Sequence, residues 1–408
     1  MKRIRRISGR LWAASPTYFV YILFLEINKK RGELSVYLQH IHLINYRNYE
    51  NQQLNLNRGI NVLIGSNGQG KTNLLEAIYY LAAGNNFRGN KDIELIQWDQ
   101  PYLRLIGQMK KDDSERCYEM EVYIDKEKNK QLKINGVKYK SMSELHNYLR
   151  VVLFSPDDLK IVKGSPAERR RYLDVCMSQQ DKSYYRLIRD YDRIVQQRNN
   201  LLKELQYKKE NKAQLEVWNQ YLIEYGSQII YKRLQYLKML VPMARKVQQA
   251  LTCETERFSV TYHCSMGAIG DFSVEQIKNV FQTILAQKQG EEIARGTTLW
   301  GPHRDDLIFY LNGMDLKKYG SQGQQRTGIL SLKMAELQTF YKLHGEYPLL
   351  LLDDVMSELD DARRQFLMKM VKKYQIQTII TGANIELLTD EMAENEIFWV
   401  QEGKIIKK

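Results

Sequence analysis

The sequence has four cysteines in 408 residues, Cys117, Cys176, Cys253 and Cys264. None forms a C-x-x-C pair, and only His263 adjoins one of them. Neither a zinc site nor a disulfide framework is legible, which points to a reduced, cytoplasmic protein. Long apolar runs are missing too. The run Tyr18 to Leu25 is too short to cross a bilayer, and no A-x-A cleavage site follows it. The chain also lacks the several hundred further residues that the arms of giant coiled-coil proteins require. What it does have is 43% apolar residues, enough for a real core, so global disorder is excluded. The length suggests two or three domains.

A net charge of +13 points toward polyanions, and its distribution is uneven. Residues 1–35 carry +6, residues 36–159 carry +1, residues 160–250 carry +10, and residues 251–408 carry −4. The first basic block is a leader: Lys2, Arg3, Arg5, Arg6 and Arg10 precede the short apolar run, which resembles a secretory signal. A second reading is that residues 1–35 stand outside the native fold. Lys30-Arg31-Gly32-Glu33 can be encoded by a purine-rich ribosome-binding stretch, and Val36 by a GTG start. That second reading is preferred.

The chemistry begins at a short apolar strand, Asn61-Val62-Leu63-Ile64. It runs into Gly65-Ser66-Asn67-Gly68-Gln69-Gly70-Lys71-Thr72, and a helix striped by Leu74, Leu75, Ala77, Ile78 and Leu81 follows. This is G-x-x-x-x-G-K-[ST] between a strand and a helix, a P-loop in the context it requires. Glycines let backbone N–H groups face phosphate oxygens, and the helix N-terminus adds partial positive charge. Lys71 is expected on the β- and γ-phosphates of ATP and the Thr72 hydroxyl on Mg²⁺. The partner acids come from Pro348-Leu349-Leu350-Leu351-Leu352-Asp353-Asp354, a buried parallel strand ending in two carboxylates. Asp353 is expected to help hold the metal, and Asp354 to orient or deprotonate the attacking water. Between these motifs Ser321-Gln322-Gly323-Gln324-Gln325-Arg326 opens a helix reaching about Leu343. Ser357-Glu358-Leu359-Asp360 follows the acidic strand.

That order resembles the ABC-type ATPase heads of the SMC family, with S-x-G-Q as signature and S-x-L-D as D-loop. The resemblance covers Tyr37 to about Lys404 and is closest to the branch acting in bacterial DNA repair. It is carried by Asn45-Tyr46-Arg47-Asn48-Tyr49, Phe154-Ser155-Pro156-Asp157-Asp158-Leu159 and Gly164-Ser165-Pro166-Ala167-Glu168-Arg169-Arg170-Arg171. Gly301-Pro302-His303-Arg304-Asp305-Asp306 and Leu351-Leu352-Asp353-Asp354-Val355 complete it. The resemblance implies an ATPase that forms an ATP-dependent homodimer. In it, Ser321, Gln322, Gly323 and Gln324 of one copy meet the γ-phosphate on the other, with Ser357 and Asp360 in the D-loop. Arg47 and Asn48 would lie near the nucleotide. Family members bind double-stranded DNA and single-strand/double-strand junctions, engage RecR, and act with RecO in loading RecA. The resemblance implies DNA-stimulated hydrolysis, and two departures suggest that it is slow: Asp354 stands where a glutamate is usual, and Thr381-Gly382-Ala383-Asn384 lacks the usual switch histidine. No Q-loop glutamine is evident, and Ser155 lies near that position.

Residues 166–240 read as helices, with Ser165 as N-cap and Pro166 at the first helical position. Tyr184, Leu187, Tyr191, Ile194, Val195, Leu202 and Leu205 share one face, and Lys182, Arg186, Arg189 and Arg193 the opposite one. The second group is expected to contact the DNA backbone with little sequence readout. Arg169, Arg170 and Arg171 are alternatively partners for acids within the lobe.

The expected fold is α/β, an ABC-type P-loop ATPase head built from residues 36–165 and 295–408, with a mainly α-helical second lobe, 166–294, inserted. The expected function is an ATP-dependent DNA-binding protein of recombinational repair. The alternatives are an ABC-type transport subunit, against which the basic stripe argues, and an SMC-like tether, for which arms are missing.

Overall fold

The structure, a computed structural model, describes residues 36–89, 91–111, 116–207, 212–382 and 396–407. The leader 1–35 and the Ala383-Asn384 pair lie outside the described residues. The chain opens with β1 (Val36–Tyr46), β2 (Tyr49–Asn55), β3 (Ile60–Ile64) and helix α1 (Lys71–Ala83). Then come β4 (Tyr102–Lys111), β5 (Cys117–Asp125), β6 (Lys130–Ile134), β7 (Val137–Tyr139) and β8 (Val151–Phe154). Six of these strands form an antiparallel sheet in the order β2-β1-β4-β5-β6-β7. The β6–β7 turn is Asn135-Gly136, both at positive φ (49° and 79°), the geometry a two-residue hairpin needs.

The inserted segment follows as α2 (Leu159–Lys163), α3 (Pro166–Gln180), α4 (Lys182–Leu205), α5 (Lys212–Leu251), β9 (Phe258–His263) and α6 (Val274–Arg295). Ser165 and Glu168 form a capping box at the start of α3, and Asp181 caps α4 by accepting from the Ser183 N–H at 2.8 Å. Helix α5 runs past the expected end at residue 240, carrying Pro242 inside it. Next are β10 (Asp306–Leu311), β11 (Met314–Asp315), α7 (Leu316–Tyr319) and the long helix α8 (Gln322–His344). Strand β9 pairs with β10 from His263–Asp306 to Phe258–Leu311, so the lobe's small sheet joins residues on both sides of position 294. Asn312-Gly313 makes the second hairpin turn.

The chain ends with β12 (Leu349–Asp353), α9 (Asp361–Tyr374), β13 (Thr378–Gly382), β14 (Glu396–Gln401) and β15 (Lys404–Lys407). The order β15-β14-β3-β13-β12-β8 is parallel except at the β15 edge. Its central strands β3, β13, β12 and β8 are buried on both faces, which is why β12 is continuous leucine. Leu350 and Leu352 pack into the core shared with α8 and the inserted lobe, and Leu349 and Leu351 into the core shared with α1 and the antiparallel sheet. Lying between two sheets, α1 is buried from Leu74 to Ala83, including Glu76. This sandwich places the carboxyl ends of β3, β12 and β13 on one edge, where such sheets bind ligands. Among the described residues no helix is long and apolar enough to cross a membrane.

Candidate nucleotide site and basic surface

The P-loop leaves β3 at Ile64 and enters α1 at Lys71. Gly70, the N-cap, has φ 116°, and a Cβ there would overlap the Asn48 side-chain amide. The β1–β2 turn braces this side of the loop. Asn48 Nδ2 donates to the Gln69 carbonyl (3.0 Å), and Tyr49 Oη donates to the Gly70 carbonyl (2.9 Å). The β14–β15 turn braces the other side: the Gly403 N–H donates to the Gln69 carbonyl (3.2 Å) and the Glu402 N–H to Gln69 Oε1 (2.6 Å). Ser66, Asn67 and Gly68 stay exposed at the tip, with Gly68 at φ 81°. Lys71 Nζ donates to the Gly65 (2.5 Å) and Ser66 (2.9 Å) carbonyls. Burial draws the Lys71 pKa down, against the opposing pull of Asp354 and Asp353. An ammonium whose bonds are to loop carbonyls, beneath a helix N-terminus, suits a polyphosphate.

The acids arrive where expected. Thr72 Oγ1 donates to Asp353 Oδ1 at 2.9 Å, joining the two motifs across the sheet. Burial raises the Asp353 pKa, while bonds from Thr381 and Thr72 oppose the rise. A hydroxyl beside a carboxylate fits the hard-oxygen preference of Mg²⁺. Asp354 sits in the left-handed region (φ 54°), and Ser357 Oγ donates to its carbonyl (2.7 Å). Asp360 caps α9 by accepting from the Arg363 N–H (2.9 Å). Ser155 is buried at the end of β8, beside β12, in a capping box with Asp158.

Arg47, expected near the nucleotide, is held by partners within the head. Its guanidinium is bidentate on Glu76 (2.9 and 3.1 Å) and donates to the Glu94 carbonyl (2.9 Å). The reason is Glu76, which is fully buried in α1 and needs a cation as well as the Tyr46 hydroxyl (3.1 Å).

The signature stands apart from the P-loop. Ser321 caps α8, its hydroxyl accepting from the Gln324 N–H (3.2 Å), and Gln324 Nε2 donates to Glu256 Oε1 (2.9 Å). Ser321, Gln322 and Gly323 are exposed, and among the described residues no hydrogen bond links them to the P-loop. Arg326 reaches the D-loop turn, donating to the Glu358 carbonyl (3.3 Å).

On α4 the apolar face is buried as expected, at Tyr184, Leu187, Tyr191, Ile194, Leu202 and Leu205, with Val195 half-buried. The basic face is less uniform than its sequence. Lys182 is half-buried and paired with Glu144 of the head (2.9 Å). Arg189 and Arg193 both lie near Asp190 (3.4 and 3.8 Å), with Arg193 69% exposed, and Arg186 is exposed. The arginine triplet binds within the protein: Arg169 to Asp306, Arg170 to the Asp305 carbonyl, and Arg171 to the Asn86 and Phe87 carbonyls of the head. Two cavities, of about 510 and 300 Å³, open between head and lobe, and no P-loop residue lines either.

Three contributors to the nucleotide site escaped sequence reasoning. Tyr49 is marked in the sequence only as part of the Asn45–Tyr49 motif, with nothing to show that its hydroxyl reaches the loop, and Thr381 stands out there only for the missing histidine. Glu402-Gly403 braces the loop from a two-residue turn with both residues at positive φ (48° and 73°), and only its glycine was a signal in the sequence.

Comparison with known proteins agrees with this geometry. Residues 37–406 match the family model described as RecF/RecN/SMC N terminal domain. The chain is 40% identical over 373 residues to the DNA replication and repair protein RecF of Bacillus pumilus, covering 91% of this chain and 100% of that protein. It is 42% identical over 369 residues to the RecF of Alkaliphilus oremlandii, covering 90% and 99%. Among solved structures it is similar to the recombination mediator protein RecF of the RecFOR pathway in its RecF-ATPrS form. There the TM-score is 0.85 at 35% identity, covering 91% of this chain and 98% of that one. An Smc head domain from Pyrococcus furiosus shares the fold at a TM-score of 0.53 and 15% identity.

Proposed function

This chain belongs to the RecF family of SMC-type ABC ATPases, and on that premise we propose that it is an ATP-dependent DNA-binding protein of recombinational repair. The observation that carries the reading is the junction of Lys71, Thr72 and Asp353 at one sheet edge. Lys71 would hold the β- and γ-phosphates, Thr72 and Asp353 the Mg²⁺, and Asp354 the attacking water. ATP supplies a γ-phosphate that a second copy can grasp. Gly323 supports that role for the signature: its φ is not positive, and the nearest atom to a Cβ there would be Ser321 Oγ at 3.9 Å. Among the described residues nothing requires glycine at that point, whereas a surface approaching from outside would.

The dimer would bind double-stranded DNA and gap junctions through the exposed face of α4, cooperate with RecR and RecO in loading RecA, and release DNA after slow hydrolysis. Light scattering together with anisotropy on gapped, duplex and single-stranded DNA, with and without ATP, tests this. ATP is expected to double the mass and tighten duplex binding; no change in either overturns the proposal. An Arg186→Glu, Arg189→Glu double variant is expected to lose more than about tenfold in duplex affinity and to lower the salt slope by about two, since each phosphate contact contributes about one. Because the loss is electrostatic, it should be similar for unrelated sequences.

The clasp of the β14–β15 turn on the P-loop makes its own prediction. Gly403 has φ 73°, and a Cβ there would overlap the Asn48 carbonyl oxygen. Gly403→Ala is expected to strain the turn by about 1–3 kcal/mol and to weaken ATP binding about tenfold, while circular dichroism stays unchanged. Nucleotide titration measures the effect, and an unaltered affinity would detach the hairpin from the site.

A further inference from the structure

Thr381, the last residue but one of strand β13, lies directly opposite Asp353 of β12 in the parallel register and is almost fully buried (1% exposed). Its hydroxyl has two short partners. It donates to Asp353 Oδ1 at 2.9 Å and accepts from the Asp354 backbone N–H at 2.9 Å. The Leu352 carbonyl lies farther away, at 3.5 Å. One oxygen therefore contacts both acids of the acidic strand, the first through its carboxylate and the second through its backbone.

Each contact addresses a distinct weakness. Asp353 is buried, and its Oδ1 receives two hydroxyls, from Thr72 and Thr381. Thr72 is shared with the metal site, whereas both of the short Thr381 bonds are to protein atoms. Asp354 sits at φ 54°, a left-handed conformation uncommon outside glycine that aspartate adopts more readily than most and that nearby hydrogen bonds can fix. The Thr381 hydroxyl fixes its N–H, and Ser357 Oγ fixes its carbonyl. The backbone turn that aims the Asp354 carboxylate is thus pinned at both ends.

We propose that Thr381 is a positioning residue for ATP hydrolysis, its single hydroxyl holding the metal-binding carboxylate of Asp353 and the water-orienting turn at Asp354 in register. The proposal rests on the roles given above to those two acids. It does not require the hydroxyl to touch nucleotide, metal or water.

The test compares Thr381→Val, which keeps the shape and removes the hydroxyl, with Thr381→Ser, which keeps the hydroxyl. In the full chain, Thr381→Val is expected to lower kcat about 10–100-fold, the range typical for partners that orient metal ligands. The KM for ATP should change less than about threefold, since Lys71 and the loop amides are untouched. The Mg²⁺ midpoint, read by titrating the metal against bound fluorescent ATP analogue, should rise about tenfold or more. Thr381→Ser should return kcat and the Mg²⁺ midpoint to within about threefold of the parent chain. If the valine variant does not fold, Thr381→Ala carries the same test with less side chain. Parent-like kcat and Mg²⁺ midpoint in the hydroxyl-free variant overturn the proposal, as does a serine variant as impaired as valine, which would mean packing alone. Asp353→Asn separates the two levels. Turnover insensitive to it overturns the reading of the site and this proposal together. Turnover sensitive to it but indifferent to Thr381→Val overturns this proposal alone.

Discussion

Glu292→Ala is expected to cost the chain about 3–5 kcal/mol of stability, the penalty for stranding a buried charge. Arg198 on α4 and Glu292 on α6 have fully buried side chains, 2.5 Å apart. The guanidinium spends its other donors on Asn219 Oδ1 of α5 (2.9 Å) and Thr298 Oγ1 (2.9 Å), and Glu292 Oε1 accepts from the Leu299 N–H (2.8 Å). Removing the carboxylate leaves a cation in a dry interior with two neutral partners. Removing both charges is a different experiment: an Arg198→Met, Glu292→Leu chain is expected near parental stability, because desolvating the pair already offsets much of its attraction. Urea unfolding can be followed by tryptophan fluorescence, to which Trp218 contributes from its place on the small cluster of Leu201, Leu202, Leu205 and Leu215. A loss under about 1 kcal/mol in the alanine variant would show that water reaches the site. The pair also has a functional consequence. It ties α4, which carries the proposed DNA-binding arginines, to α6 and α5, so its loss should weaken duplex binding without touching a phosphate contact.

What the sequence made legible is what short-range chemistry encodes. The P-loop could be read because strand, glycine loop and helix are contiguous, and the two Asn-Gly turns because positive φ is demanded of adjacent residues. Ser165, Ser321 and the continuous leucine of β12 are of the same kind. The partnerships that shape the site were hidden for the opposite reason. Thr72 and Asp353 are 281 residues apart, and Gln69 and Glu402 are 333 apart. No local pattern marks which distant turn will close on the loop. Charge shows least of its partnerships in the sequence. Arg47 and Lys182 looked available for polyanions, yet each faces a carboxylate supplied by a different part of the head, Glu76 and Glu144. A helix wheel shows which way a side chain leaves its own helix, and says nothing of what waits there. The basic face of α4 is consequently narrower than its sequence, concentrated on Arg186, Arg189 and Arg193.

Asp354→Asn is expected to reduce ATP turnover by about 10²–10³-fold, the usual cost of removing one preorganised polar group from a transition state. The substitution keeps size and shape, and asparagine tolerates the left-handed φ of 54° that this position imposes. The backbone bonds to Thr381 and Ser357 survive it, since both use main-chain atoms of residue 354. Nucleotide affinity should hold or rise, for a simple electrostatic reason. Of the two acids that act on the Lys71 ammonium Asp354 acts the more strongly, and it stands on the edge that would receive a polyanion. Removing its charge takes repulsion away from bound phosphates. Binding without turnover should then lengthen the life of the ATP-dependent DNA complex in proportion to the lost rate, if hydrolysis is what releases it. Dissociation from labelled duplex after an ATP chase reads that lifetime directly. A variant that hydrolyses at the parental rate would remove Asp354 from the chemistry. One that turns over slowly yet leaves DNA at the parental rate would uncouple release from hydrolysis, and the cycle would then have to be driven by nucleotide exchange.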